Sequence, residues 1–151
     1  MKLLLIEDDI KKIDDLKDFF EDYSTTVDLT IRKSFQTGLR EILRSEFDLV
    51  LLDMSMPTWE RSINEPGGEF EKFAGIKILK EMSRRGRYQN VVLVTMFDNF
   101  GDGEKSITLN DMNLSLQNDF REMYLGAVYY NASEIKWKDE LTIMLKKIIN
   151  D

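Results

Sequence analysis

Four apolar residues, Leu49-Val50-Leu51-Leu52, run straight into Asp53 and then Met54-Ser55-Met56-Pro57, so a fully buried strand ends on a carboxylate. The amino-terminal run Lys2-Leu3-Leu4-Leu5-Ile6 does the same on Glu7-Asp8-Asp9. Strands apolar on both faces belong in a parallel sheet covered by helices, and such a sheet delivers its carboxyl ends to one edge. The two acidic clusters are therefore expected to meet there and to repel each other unless a cation or a proton intervenes. Chemistry is expected at that edge.

The rest of the chain alternates in the same manner. A helix is predicted over about residues 9 to 22, capped by Asp8 or Asp9 and burying Ile10, Ile13, Leu16 and Phe20. Val27, Leu29 and Ile31 alternate as a second strand. Ser34 caps a helix carrying Phe35, Leu39, Ile42 and Leu43, and Leu49 to Asp53 is the third strand. After an irregular passage containing Pro66-Gly67-Gly68, Ile76, Leu79 and Met82 mark a helix, and Val91 to Thr95 form the fourth strand. Leu109, Met112, Leu116, Phe120 and Met123 share one face of the next helix, followed by a fifth strand near 127 to 131 and a last helix with Leu141, Leu145 and Ile148. With right-handed crossovers this predicts an α/β, doubly wound, flavodoxin-like sheet of five parallel strands in the order 2-1-3-4-5.

Composition narrows the chemistry. At 151 residues and 42% hydrophobic content, one domain over 1–151 is expected. No run approaches the roughly 20 apolar residues that span a bilayer, and no signal-type region opens the chain, so a cytoplasmic protein without membrane association is expected. The absence of cysteine and histidine removes thiolate nucleophiles, the usual general base and the usual zinc ligands. A net charge of −7 disfavours direct contact with nucleic acid. Arg84, Arg85 and Arg87, the one dense basic group, are expected at a helix carbonyl end and in solvent.

With strand ends at Glu7-Asp8-Asp9, Asp53-Met54-Ser55-Met56-Pro57 and Thr95, and with Gly126-Ala127-Val128-Tyr129-Tyr130 near the fifth strand, the chain resembles a receiver domain of a two-component response regulator over nearly its whole length. The resemblance implies that Asp53 is the phosphoacceptor; a carboxylate already ionised needs no base, which suits a chain without histidine. It implies Mg²⁺ held by Asp8, Asp53 and the backbone carbonyl of Ser55, with Glu7 acting through water, and a hard cation suits these oxygen donors. Thr95 matches the switch hydroxyl. Tyr130 matches the switch aromatic, with Tyr129 one residue away as the alternative, and Pro57 shapes the loop after the phosphoacceptor. The partners implied are a sensor histidine kinase or phosphotransfer protein of a phosphorelay and a downstream protein target; a homodimer is compatible with it. Any catalysis would be confined to the chain's own phosphorylation and dephosphorylation.

The sequence departs from this pattern in two places. The family places a lysine at the end of the fifth strand to contact the phosphoryl group, and the count from Gly126 puts that position on Ser133, with Asn131, Ala132 or Glu134 reached by a slip. None is lysine, and a charge-assisted hydrogen bond is worth roughly 1.5 to 3 kcal/mol, so slower phosphorylation or looser signal transmission is expected. Lys105, Lys136 and Lys138 are the candidates to reach the site, the last two expected to face solvent. Residues 58–73 and 97–111 are also longer than the family norm and should crowd the mouth of the site. Asp98-Asn99-Phe100-Gly101-Asp102-Gly103 faintly suggests a calcium loop, but Phe100 and Leu109 stand where oxygen ligands are needed.

The leading expectation is therefore a phosphoacceptor signalling module that switches the surface of its fourth helix, fifth strand and fifth helix. The alternative is a pseudo-receiver, an interaction scaffold that takes no phosphate. A haloacid-dehalogenase-type phosphohydrolase is disfavoured, since Ser55 stands where it needs a second aspartate. The metal-based reading carries one condition: Asp8 and Asp53 must lie together and must not be tied up by a permanent internal cation.

Overall fold

The computed structural model describes residues 1–23, 26–60 and 68–149. In chain order it contains β1 (Lys2–Ile6), α1 (Ile10–Asp22), β2 (Asp28–Arg32), α2 (Phe35–Arg44), β3 (Leu49–Leu52), β4 (Met56–Pro57), β5 (Phe70–Glu71), α3 (Ala74–Arg84), β6 (Val91–Thr95), β7 (Asn99–Phe100), β8 (Ile107–Thr108), α4 (Leu109–Asp119), β9 (Tyr124–Tyr129) and α5 (Lys136–Ile149). The main sheet is all parallel in the order β2-β1-β3-β6-β9, which is the expected 2-1-3-4-5 arrangement.

Alternate residues of the central strands feed two cores. Leu4, Ile6, Val50 and Leu52 pack beneath α2, α3 and α4, while Leu3, Leu5, Leu49 and Leu51 pack beneath α1 and α5. Ser34 caps α2, its side chain accepting from the Thr37 amide, and Asp9 caps α1, accepting from the Lys12 amide. Both caps stand at the sheet's carboxyl edge.

Four expectations change. The long segments after β3 and β6 are not bare loops, because each folds into a two-residue antiparallel ladder, β4 with β5 and β7 with β8. Within the first of them, Pro66 and Gly67 lie outside the described residues. The helix of Leu109 to Met123 stops at Asp119, and β9 begins at Tyr124, three residues earlier than predicted. A bulge explains the difference. Val91 pairs with Tyr124 and Val92 with Gly126, so Leu125 is extra and parity reverses: Tyr124 enters one core and Val128 the other. Finally, Ile10 is 68% exposed, and Lys12 holds the core-facing place that the predicted stripe assigned to it.

The arginines divide. Arg84 and Arg85 reach back to Glu81, whereas Arg87 donates to the Ile42 and Ser45 carbonyls at the end of α2.

Candidate phosphoacceptor site

Pairing of Leu3 to Ile6 with Leu49 to Leu52 sets Glu7 beside Asp53, and the Asp53 amide donates to the Ile6 carbonyl (3.2 Å). The two acidic clusters meet as the sequence implies. Asp53 is 4% exposed, and its Oδ1 accepts the Met54 amide at 2.7 Å. α3 holds this turn from below: the Gly75 amide donates to the Met54 carbonyl (2.8 Å), and a Cβ at Gly75 would stand 2.8 Å from the Asp53 carbonyl oxygen. Only glycine lets the helix come this close.

A cation lies between the acids, and it belongs to the chain. Lys12 projects from the first turn of α1 into the interior, with none of its surface exposed. Its Nζ donates to the Val94 carbonyl at 2.5 Å, lies 2.5 Å from Glu7 Oε2 and 3.3 Å from Asp53 Oδ2, and stands 6.0 Å from the centre of the Tyr130 ring. One ammonium thus ties together the carboxyl ends of β1, β3 and β6. The contact with Glu7 is a buried charge pair, beside the hydrogen bond to Val94. Burying an ammonium is costly unless it is paired and hydrogen-bonded, and here it is both.

Three carboxyls share this one positive charge. Burial pushes the Glu7 carboxyl up to about 8, against the pull of Lys12 and with a further push from Asp53. Glu7 Oε1 accepts the amides of Asp8 and Asp9, so the side chain is folded back over the start of α1. Burial also raises Asp8; a backbone hydrogen bond opposes the shift, and the Asp53 charge adds to it. Asp8 and Asp53 are therefore within electrostatic reach of each other. Asp8 remains half-buried, and no ion pair with a described residue involves it.

These observations decide how far the residues suit Mg²⁺. Among the described residues no three acidic, imidazole or thiolate side chains form a metal-holding group. The smaller oxygen set of Asp8, Asp53 and the Ser55 carbonyl does suit a hard divalent ion in kind, and its surplus negative charge favours one. Glu7 does not fit the water-mediated place expected of it, since its oxygens serve Lys12 and two amides. The condition set by the sequence is met only in part. The Asp53 charge acts on Asp8, but an internal cation has its longest contact, 3.3 Å, on Asp53.

Thr95 ends β6, fully buried, and its Oγ1 accepts the Phe97 amide at 3.2 Å. Tyr129 pairs with Thr95 across the sheet and is 38% exposed, lining a cavity of about 340 Å³ with Asp98, Thr108 and Lys136. Tyr130 faces the other way. Its hydroxyl donates to Asp15, its ring packs on Trp137 at 5.3 Å, and burial together with that hydrogen bond raises its hydroxyl pKa. Of the two tyrosines, Tyr129, the alternative, is the partly exposed one paired with Thr95, and Tyr130 is buried on the opposite face because the β9 bulge reverses which face each presents.

β9 comes level with Thr95 at Tyr129, and the Tyr130 amide donates to the Thr95 carbonyl (2.7 Å). Ser133 has already left the sheet and turns on the Asn131 side chain. Lys136 pairs with Glu140, Lys138 lies over the Trp137 ring, and Lys105 is exposed in a short 3-10 turn. Lys12 escaped the sequence reading, although its position on the stripe of Ile13, Leu16 and Phe20 was the available signal. Near the mouth, Lys72 beside β5 pairs with Asp102 beyond β7 at 3.3 Å, joining the two added hairpins; Phe100 of the calcium-like stretch is buried in the core.

No family model matches the chain. It is 29% identical over 152 residues to the Detocs response regulatory protein DtcB of Enterobacter cloacae, covering 98% of each chain. It is 28% identical over 139 residues to the protein y4jR of Sinorhizobium fredii, covering 91% of this chain and 92% of that one. Among solved structures it is similar to a response regulator receiver domain from Clostridium thermocellum, with TM-score 0.63, 22% identity and coverage of 99% and 94%. It is also similar to TrrA of Thermotoga maritima in complex with Mg²⁺-BeF, with TM-score 0.59, 15% identity and coverage of 97% of each chain. A third likeness is to the phosphorylated cyanobacterial phytochrome response regulator RcpA, with TM-score 0.61, 17% identity and coverage of 97% and 94%. Strand order, the acidic carboxyl edge and these likenesses agree: the chain has the fold of a response-regulator receiver domain.

Proposed function

We propose that this chain is a phosphoacceptor signalling module in which Asp53 takes a phosphoryl group from a phosphohistidine or a small phosphodonor. The observation that carries this reading is the placement of Asp53 on the central strand, against one fixed ammonium and within the field of a second aspartate, with a buried threonine ending the next strand. Asp53 Oδ1 is held by the Met54 amide, which leaves Oδ2 to attack phosphorus. An O–P bond forms while the donor's bond to phosphorus breaks: the P–N bond of phosphohistidine, with imidazole leaving, or the P–O bond of acetyl phosphate, with acetate leaving, each taking the electron pair. Asp8, Asp53 and the Ser55 carbonyl would hold Mg²⁺, which when bound supplies positive charge to the phosphoryl oxygens. The Thr95 hydroxyl, whose oxygen accepts from the Phe97 amide, then donates its proton to a hydrogen bond with a phosphoryl oxygen, and Tyr129 follows, altering the α4, β9 and α5 surface read by a protein target.

The pseudo-receiver reading has one observation in its favour, the ammonium of Lys12 at 3.3 Å from Asp53. Intact-mass measurement after incubation with acetyl phosphate and Mg²⁺ separates the two. A single labile phosphoryl adduct, absent from Asp53→Asn, is the expected result. An unmodified chain leaves the scaffold reading standing.

A further inference from the structure

We infer that Lys12 of α1 is the lysine that contacts the phosphoryl group, in place of the strand-end lysine this sheet lacks. The inference rests on the phosphoacceptor reading and adds a residue to it. Four observations carry it. The ammonium is anchored on two sides, by Glu7 Oε2 and the Val94 carbonyl, both at 2.5 Å. Its remaining contact is the loose one, a charge pair 3.3 Å from Asp53 Oδ2, which places the ammonium beside the oxygen that would attack. It crosses the sheet's edge to reach β6, with Nζ on the carbonyl of Val94, the neighbour of Thr95. And the end of β9, where such a charge would otherwise arise, presents Tyr130, whose ring stands 6.0 Å from the same ammonium.

Phosphorylation would lengthen the acceptor by one phosphoryl group and present oxygens to the loose donor. Lys12 then gives one hydrogen bond to a phosphoryl oxygen while retaining Glu7 and Val94. It exchanges no proton with donor or leaving group. The stabilisation would fall on the developing charge of the transferred group, which is the role of a positioned cation in phosphoryl transfer.

Selective ¹⁵N labelling of lysine ammonium groups in the wild-type chain, with Mg²⁺ and then beryllofluoride as a phosphoryl mimic, tests this directly. The Lys12 signal is expected to shift on adding beryllofluoride beyond any change with Mg²⁺ alone. A Lys12 signal that stays still while the backbone amides of residues 53–55 and 95 move would overturn the inference and leave the phosphoacceptor reading intact. No movement at any of these positions, with no adduct from acetyl phosphate, would overturn both. In the same series Lys12→Met is expected to take phosphate from acetyl phosphate roughly tenfold to a hundredfold more slowly, the loss of one charge-assisted hydrogen bond. A folded Lys12→Met labelled as fast as wild type also overturns the assignment. If the variant does not fold, the ammonium measurement on wild type decides alone.

Discussion

Replacing Lys12 by methionine keeps the stem's bulk and removes the one positive charge among Glu7, Asp8 and Asp53. At an effective dielectric of about 20, charges 2.5 and 3.3 Å from Nζ give roughly 6.6 and 5 kcal/mol of attraction, most of it spent on desolvating the groups. Breaking a buried pair on one side has a net effect of about 3 to 5 kcal/mol, and that is the expected loss at alkaline pH. The loss should depend on pH. Glu7 titrates near 8 in the fold against 4.5 in the unfolded chain, so between those values the fold holds the extra proton and stability falls as pH rises. Without Lys12 its carboxyl moves higher still; the two chains then lose stability in parallel below about pH 8, and the difference from wild type widens only above it, where the wild-type limb levels off and the variant's continues. Over that limb the slope approaches about 1.4 kcal/mol per pH unit for one proton. Urea unfolding at several pH values in EDTA, followed by Trp137 emission, measures it. Glu7→Gln in the Lys12→Met background should restore most of the alkaline loss. A variant as stable as wild type at pH 8.5, or a difference that does not grow above about pH 8, would refute the argument that Lys12 neutralises this pocket.

Gly75→Ala should destabilise the fold by about 1 to 3 kcal/mol and slow labelling of Asp53, because the new methyl meets the Asp53 carbonyl, which is backbone and cannot step aside; urea midpoints and intact mass read both effects. Tyr130→Phe should cost about 1 kcal/mol through the lost bond to Asp15 and leave the labelling rate unchanged, whereas Tyr129→Ala should leave labelling intact and change the response of the α4, β9 and α5 surface, seen as amide shifts on beryllofluoride addition. Chelation with EDTA should stop labelling of Asp53, and Mg²⁺ titration should change the emission of Trp59, which borders the first added hairpin, in wild type but far less in Asp53→Asn.

The sheet was legible because β1, β3 and β6 are short runs of Leu, Val and Ile buried on both faces, a composition few other elements accept. Asp53 and Glu7 were legible for the matching reason, since an acid that closes such a run must sit at its rim. The bulge at Leu125 was not, because its extra residue preserves a convincing alternation while reversing which tyrosine faces which core. Lys12 was hidden differently. A lysine in the first turn of an amphipathic helix ordinarily extends into water, and only the acids of two neighbouring strands, brought together by pairing far apart in sequence, make its inward path favourable. The apolar stripe pointed instead to the neighbouring Ile10, which is exposed.

Carrying the ammonium on α1 also limits how this chain can be recombined with its relatives. A chimera that grafts a lysine-bearing fifth strand onto this scaffold would bring a second ammonium toward the buried one that Lys12 already holds at this edge, and like charges close together in a dry setting repel by several kcal/mol. Exchanging the opening helix alone would instead strip that edge of any. Donor helix and recipient strand must be transplanted as a matched pair, and shuffled libraries built from this chain should survive selection only where the crossover points respect that pairing.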